Sequence, residues 1–292
     1  MIDNNKLILN FKSRIGIFCC LTIIGMFISG FLAQIIAFIW GESSTTLRIS
    51  TVIQNLLFFI SPAIIIALFI TKLPADFLQL RKTPTLKSVI LTILIIVLSI
   101  PAMNYIIYYN ESVVLPESLS GLESSLKALE ESSRRQINIL LGEPTFGGLI
   151  LSILIVGVLT GLGEELFFRG ALQNILRTRP MNPHCAIWIT AIIFSALHFQ
   201  FYGFIPRILI GAFFGYLVLW SGSIWLPIFA HALNNTLVVI SMWFVNRGIM
   251  TTDINKVGIT VSAIDWMMVV VSVIATIIVI IVLRKELLLN NR

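Results

Sequence analysis

Residues 147–170 read GGLILSILIVGVLTGLGEELFFRG, an uncharged run from Gly147 to Gly163 that ends in Glu164-Glu165-Leu166-Phe167-Phe168-Arg169. The run has the length and apolarity of a bilayer-spanning helix. A charge at the end of such a run costs several kcal/mol unless it is paired or faces water. The motif therefore reads as a buried polar site. Working outward, Phe194-Ser195-Ala196-Leu197-His198 and His231-Ala232-Leu233-Asn234-Asn235 place two of the three histidines inside other apolar stretches.

The whole chain shares this character. Of its 292 residues 57% are hydrophobic and 12% charged, with mean hydropathy +0.96, against roughly 25% charged in soluble domains. This predicts an integral membrane protein of the all-α class, a polytopic bundle of about eight transmembrane helices. The spans are expected at 15–40, 51–70, 86–108, 147–170, 184–200, 205–220, 223–245 and 264–283. The first is too long, and lacks the small-residue cleavage site, of a plain signal peptide. Within the polar stretch 109–146, Leu115, Leu119, Leu122, Leu126 and Leu129 recur at helical spacing, which predicts one amphipathic surface helix. Three regions result: N-terminal spans and the amphipathic segment at 1–146, a core at 147–245, and a last span and tail at 246–292.

Counting basic residues on alternate sides sets the orientation. With the N-terminus inside, Lys6, Lys12, Arg14, Lys72, Arg81, Lys82, Lys87, Arg177, Arg179, Arg284, Lys285 and Arg292 are cytoplasmic; Arg48, Lys127, Arg134, Arg135, Arg207, Arg247 and Lys256 are outside. Both termini are therefore expected in the cytoplasm, with the protein in the cell membrane. The net charge of +6 reflects that bias, and no nucleic-acid partner is expected. Cys19, Cys20 and Cys185 have neither disulfide nor metal spacing. The pairs Gly157/Gly161 and Gly211/Gly215 are small-residue spacings that let helices approach closely in lipid.

Helical geometry gives the three motifs a common centre. Glu165 and Arg169, four apart, share a face and can pair, while Glu164 points about 100° away and is left to face a neighbouring helix. Phe194 with His198, and His231 with Asn235, repeat the spacing of four. The breaker Arg179-Pro180-Met181-Asn182-Pro183 predicts a fold-back at Met181. Glu164 and His198 lie equally far from that point and so at the same depth, about 20 to 25 Å from the turn. A second fold-back at Ser221-Gly222-Ser223 puts His231 roughly 12 Å into its helix.

A carboxylate level with one His, with a second His and an Asn nearby, suits attack of water on an amide. Glu164 is the candidate general base, with His198 orienting the water. His231 and Asn235 are candidate oxyanion donors. Glu165 and Arg169 hold the helix and tune the field. Other protease classes fail on residues. There is no H-E-x-x-H, Asp265 stands alone at a span edge, and Ser195 and the Ser124-Ser125-Leu126-Lys127 stretch lack the partners a serine nucleophile needs. His184 reads as an interfacial residue.

In order, E-E-x-x-x-R, F-x-x-x-H and H-x-x-x-N resemble the CPBP family, the CAAX protease and bacteriocin-processing endopeptidases that include the type II CAAX prenyl endopeptidases. The resemblance covers residues 147–245. It implies an intramembrane endopeptidase in which Glu164 activates water with His198, His231 and Asn235 stabilise the oxyanion, and Glu165 and Arg169 fill the remaining motif positions. It also implies an all-helical bundle whose cavity opens on the cytoplasmic side, near Arg177 and Arg179. The expected partners are a peptide or membrane-protein substrate and the lipid bilayer. A divalent metal such as zinc stays open, with Glu164, His198 and His231 as its ligands. Two other classes also stay open: a non-catalytic immunity or scaffold protein on the same fold, and a proton-coupled transporter.

Overall fold

The computed structural model describes residues 9–178, 182–250 and 263–290. Among them every regular element is helical. They are α1 (Phe11–Trp40), α2 (Ser44–Ile70), α3 (Leu86–Glu111), α4 (Ser120–Leu141), α5 (Phe146–Arg177), α6 (Pro183–Ala196), α7 (Phe204–Ser221), α8 (Trp225–Asn246) and α9 (Ala263–Leu289), with a single turn at Pro74–Phe77. Seven of these helices are long and apolar enough to cross a membrane, as an integral membrane protein requires. The span expected at 184–200 is the exception. Its helix α6 has 14 residues, about 21 Å at 1.5 Å per residue, and it stops because Leu197–Phe199 turn, Phe199 taking a positive φ of 52°.

Local chemistry sets the ends. Asn10 caps α1 by accepting from Ser13 N, and Ser43 with Thr46 forms a capping box on α2. Pro101 interrupts α3, and Ser272 of α9 fills the gap: its hydroxyl donates to Leu98 O and accepts from Ala102 N. Gly222, in the left-handed region at φ 63°, makes the expected reversal between α7 and α8. The reversal expected at Met181 lies outside the described residues, as do Lys6, Arg179, Pro180, Lys256 and Arg292.

The amphipathic helix begins later than the leucine spacing suggests. Pro116 and a 3₁₀ turn at Glu117–Leu119 precede it, so Leu115 and Leu119 lie outside the helix. Leu122 and Leu129 stay exposed, as on a helix lying at a membrane surface. Arg134 pairs with Glu111 at 2.6 Å and Arg135 with Glu42 at 3.1 Å, tying α4 to that end of the bundle.

The core gathers around α5. Phe167 and Phe168 pack with Phe18, Phe58, Phe59 and Phe194. On its other side the expected glycine contacts are made: a methyl on Gly161 would sit 2.9 Å from Ala232 N, and one on Gly157 2.5 Å from Thr236 Oγ1, so only glycines let α8 approach this closely. At the α4 end Arg48 of α2 is buried and bonds Glu143, Gly148 O and Ser152 Oγ, pinning α2 to α5. At the opposite end Asn174 donates to Phe77 O, and Ile224 N to Gln79 O.

Candidate functional site

Helix α5 is not uniformly α-helical. Ile153–Leu159 and Leu166–Leu172 have π-helical turns, with an α-helical stretch Thr160–Glu165 between them. Such local widening is rare and concentrates at functional sites. The two glutamates close the α-helical stretch, so they meet the wider turn that carries Arg169.

The pair expected from the spacing of four is present. Arg169 Nη1 donates to Glu165 Oε1 at 2.6 Å, both side chains fully buried. Arg169 Nη2 donates to Gly211 O at 2.8 Å, and its guanidinium lies 4.7 Å from the Phe194 ring centroid and 5.4 Å from that of Phe214. A turn further on, Gln173 donates to Gly215 O at 3.2 Å. The glycine pair on α7 thus supplies carbonyls as well as close packing, because nothing larger covers them.

His231 joins the two glutamates. Its Nδ1 lies 2.8 Å from Glu165 Oε1 and its Nε2 3.8 Å from Glu164 Oε2. A carboxylate only accepts, so Nδ1 donates and Nε2 is the atom left facing Glu164. Glu164 is buried, and its Oε2 accepts no hydrogen bond. The Phe194 ring stands between the histidines, 4.9 Å from His198 and 5.9 Å from His231. His198 Nδ1 donates to Phe194 O at 2.8 Å, which leaves its own Nε2 as an acceptor. Glu164, His231 and Arg207 all lie within electrostatic reach of His198.

Five of the six motif residues, Glu164, Glu165, Arg169, His198 and His231, are therefore gathered in one place. Asn235 differs. Sharing a helical face with His231, it turns its amide to Val156 O of α5 at 3.1 Å, and one of its N–H groups is used there. Among the described residues no three His, Cys, Asp or Glu side chains come together as a metal ligand set. Both histidines have Nδ1 held by a protein acceptor and Nε2 left over, and the nearest Glu164–His231 contact is 3.8 Å.

Serine chemistry finds no support either. Ser195, fully buried, donates to Phe204 O at 2.7 Å. Ser124 and Ser125 both bond Gly121 O, and Lys127 pairs with Glu123 at 2.7 Å. His184 bonds Tyr216 OH at 2.9 Å on the surface.

At the α4 end a polar cleft is lined by Glu111, Glu123, Lys127, Glu130, Arg134 and Tyr202. The turn after α6 carries His198 and Gln200, and its next segment is held by Asn110 at the end of α3 through Phe201 O and Ile205 N. Arg207 stands there within electrostatic reach of both Glu164 and Glu130 of α4. Arg177 lies at the other end of α5, 3.5 Å from Asn174 Oδ1. Sequence reading missed Gln173, Phe214, Asn55 and Arg207. Gln173 extends the Glu165–Arg169 stripe by four and could have been found that way. Asn55, 1% exposed and in a π-helical turn of α2, bonds Thr160 Oγ1 and abuts Gly163, a contact no local spacing announces.

A curated relative, uncharacterized protein YpbD of Bacillus subtilis (strain 168), is 31% identical over 83 residues. The match covers 27% of this chain, which spans 39% of that relative's length. No solved structure matches. Residues 146–237, which hold Glu164, Glu165, Arg169, His198, His231 and Asn235, match the family described as type II CAAX prenyl endopeptidase Rce1-like.

Proposed function

We propose that this chain is an intramembrane endopeptidase that hydrolyses a peptide bond by direct attack of water. The observation that carries the proposal is the meeting of Glu164, Glu165, Arg169 and His231 around the Phe194 ring, with His198 on its other edge.

In this reading Glu164 takes a proton from the attacking water, and His198 Nε2 accepts the water's second hydrogen and so fixes its orientation. Glu165 carries no proton in the step. Held by Arg169, it fixes the His231 ring through Nδ1, so that Nε2 alone meets the substrate. There His231, when it carries both protons, donates to the oxyanion as the carbonyl carbon becomes tetrahedral. Asn235 has a second amide hydrogen for the same oxygen. The proton gained by Glu164 then passes to the departing amine, which breaks the C–N bond and restores the carboxylate.

The catalytic core is 147–245, with 1–146 and 246–292 flanking it. With both termini in the cytoplasm of a cell-membrane protein, the α4 end and the approach beside His198 face outward, and a membrane-bound peptide would enter there. The test is cleavage of peptides, prenylated and unprenylated, by the purified chain in liposomes. Glu164→Gln should lower kcat by about 100- to 10,000-fold, the size of a general-base contribution. His198→Ala and His231→Ala should each lower it by on the order of 100-fold. Cleavage that survives Glu164→Gln overturns the mechanism. Binding without any cleavage favours a scaffold, and proton flux dependent on Glu164 favours a transporter.

A further inference from the structure

The site contains a cation that the mechanism does not use. Arg207 lies in the first turn of α7, half-buried, and no carboxylate among the described residues pairs with it. Its Nη1 donates to Gln200 O at 3.0 Å and its Nη2 to Gln200 Oε1. Both acceptors are neutral and both belong to the turn that carries His198. A guanidinium has five N–H donors, so most of its donors stay uncommitted. Glu164 and Glu130 of α4 both lie within electrostatic reach of it. The backbone makes room for this placement: a methyl group on Gly203 would collide with Arg207 Nη2 and Cζ, so only glycine at 203 lets the guanidinium lie over the chain.

A half-buried guanidinium whose hydrogen-bond acceptors are neutral keeps donors free for an anion, and its planar fork matches a carboxylate better than any neutral group. Arg169, by contrast, already has Glu165. We propose that Arg207 is the specificity-determining residue that anchors a carboxylate of the substrate at the entrance beside His198. The anchored carboxylate is either the peptide's C-terminal α-carboxylate or an acidic side chain close to the scissile bond. The proposal rests on the endopeptidase reading above, because it needs a peptide whose cleaved bond reaches Glu164 while its carboxylate stays with Arg207.

The experiment uses the full chain in proteoliposomes and one fluorescent peptide in two matched pairs. The first pair differs in a free or an amidated C-terminus; the second, amidated throughout, differs in Glu or Gln near the cleaved bond. In wild type one pair should show a carboxylate preference of about 10- to 100-fold in kcat/KM, carried mainly by KM, the scale of a charge-assisted hydrogen bond. The pair that shows it names the source. Arg207→Gln should bring that ratio close to one, Arg207→Lys should keep part of it, and Gly203→Ala should lower it with the arginine intact. Equal cleavage within both pairs by wild type overturns the anchor, as does a ratio that persists in Arg207→Gln, which would leave Arg207 only a structural tie to Gln200. If no peptide is cleaved at all, the endopeptidase reading fails on its own account. The anchor is then judged from fluorescence-polarisation binding of the same peptides, where absence of a carboxylate preference refutes it.

Discussion

Removing Arg169 should unsettle this bundle more than removing any other single charge. Glu165 and Arg169 face each other at 2.6 Å with no solvent exposure, and Arg169 also closes on Gly211 O. Replacing Arg169 with Met leaves the Glu165 carboxylate buried with only His231 as a partner; breaking such a pair costs about 3–5 kcal/mol. Glu165→Gln leaves the guanidinium with neutral acceptors alone, and a cost of the same order, roughly 3–5 kcal/mol, follows. The double change removes both uncompensated charges, so it should cost about 1–3 kcal/mol less than the sum of the singles. The four proteins can be compared by SDS titration in mixed micelles, following fluorescence of the six tryptophans. Additivity within about 0.5 kcal/mol would mean that the pair is not energetically coupled and that this reading of the helix is wrong.

Three further outcomes are expected. Gly161→Ala should cost about 1–3 kcal/mol by overpacking, because its methyl would sit 2.9 Å from Ala232 N, whereas Gly16→Ala, with nothing within 4 Å, serves as the control; equal effects would refute the close α5–α8 contact. The Thr145 hydroxyl and then Arg48 hold the Glu143 carboxyl below its ordinary range. Its contribution to stability is therefore complete above the ordinary carboxylate value of about 4.3 and is lost as pH falls through the lower folded value. Glu143→Gln should flatten that acid limb in an unfolding series, and an unchanged limb would count against the tie. Finally, Ser125→Cys on the exposed face of α4, in a chain whose three cysteines are replaced by serine, should react with an impermeant maleimide on intact cells; reaction only after lysis would invert the orientation.

Much of the architecture could be read from the residues because lipid leaves few options for a polar backbone. Long apolar runs had to be helices, and four-residue spacings had to share faces. That logic found the Glu165–Arg169 pair and the glycine contacts of Gly157, Gly161, Gly211 and Gly215. It could not see that α6 would stop at Ala196, since Leu197 and Phe199 are as apolar as a continuing helix and no Pro or Gly breaks the run there. Nor could it assign His231 to Glu165 or turn Asn235 to Val156, because rotamers and inter-helix distances decide these. Arg207 was read as one more outside charge; the turn that folds it back over Gly203 is set by contacts remote in sequence, among them Asn110 with Phe201 and Ile205.

The rungs from Arg169 to Gly211 and from Gln173 to Gly215 also act as a vernier between α5 and α7. Sliding one helix by a turn in one direction would set Gln173 against Leu219, where a side chain obstructs the carbonyl. Sliding it the other way would set Arg169 against Arg207, cation on cation. Only one alignment satisfies both rungs, so the height of the glutamates relative to α7 is settled as the two helices dock, before any substrate arrives.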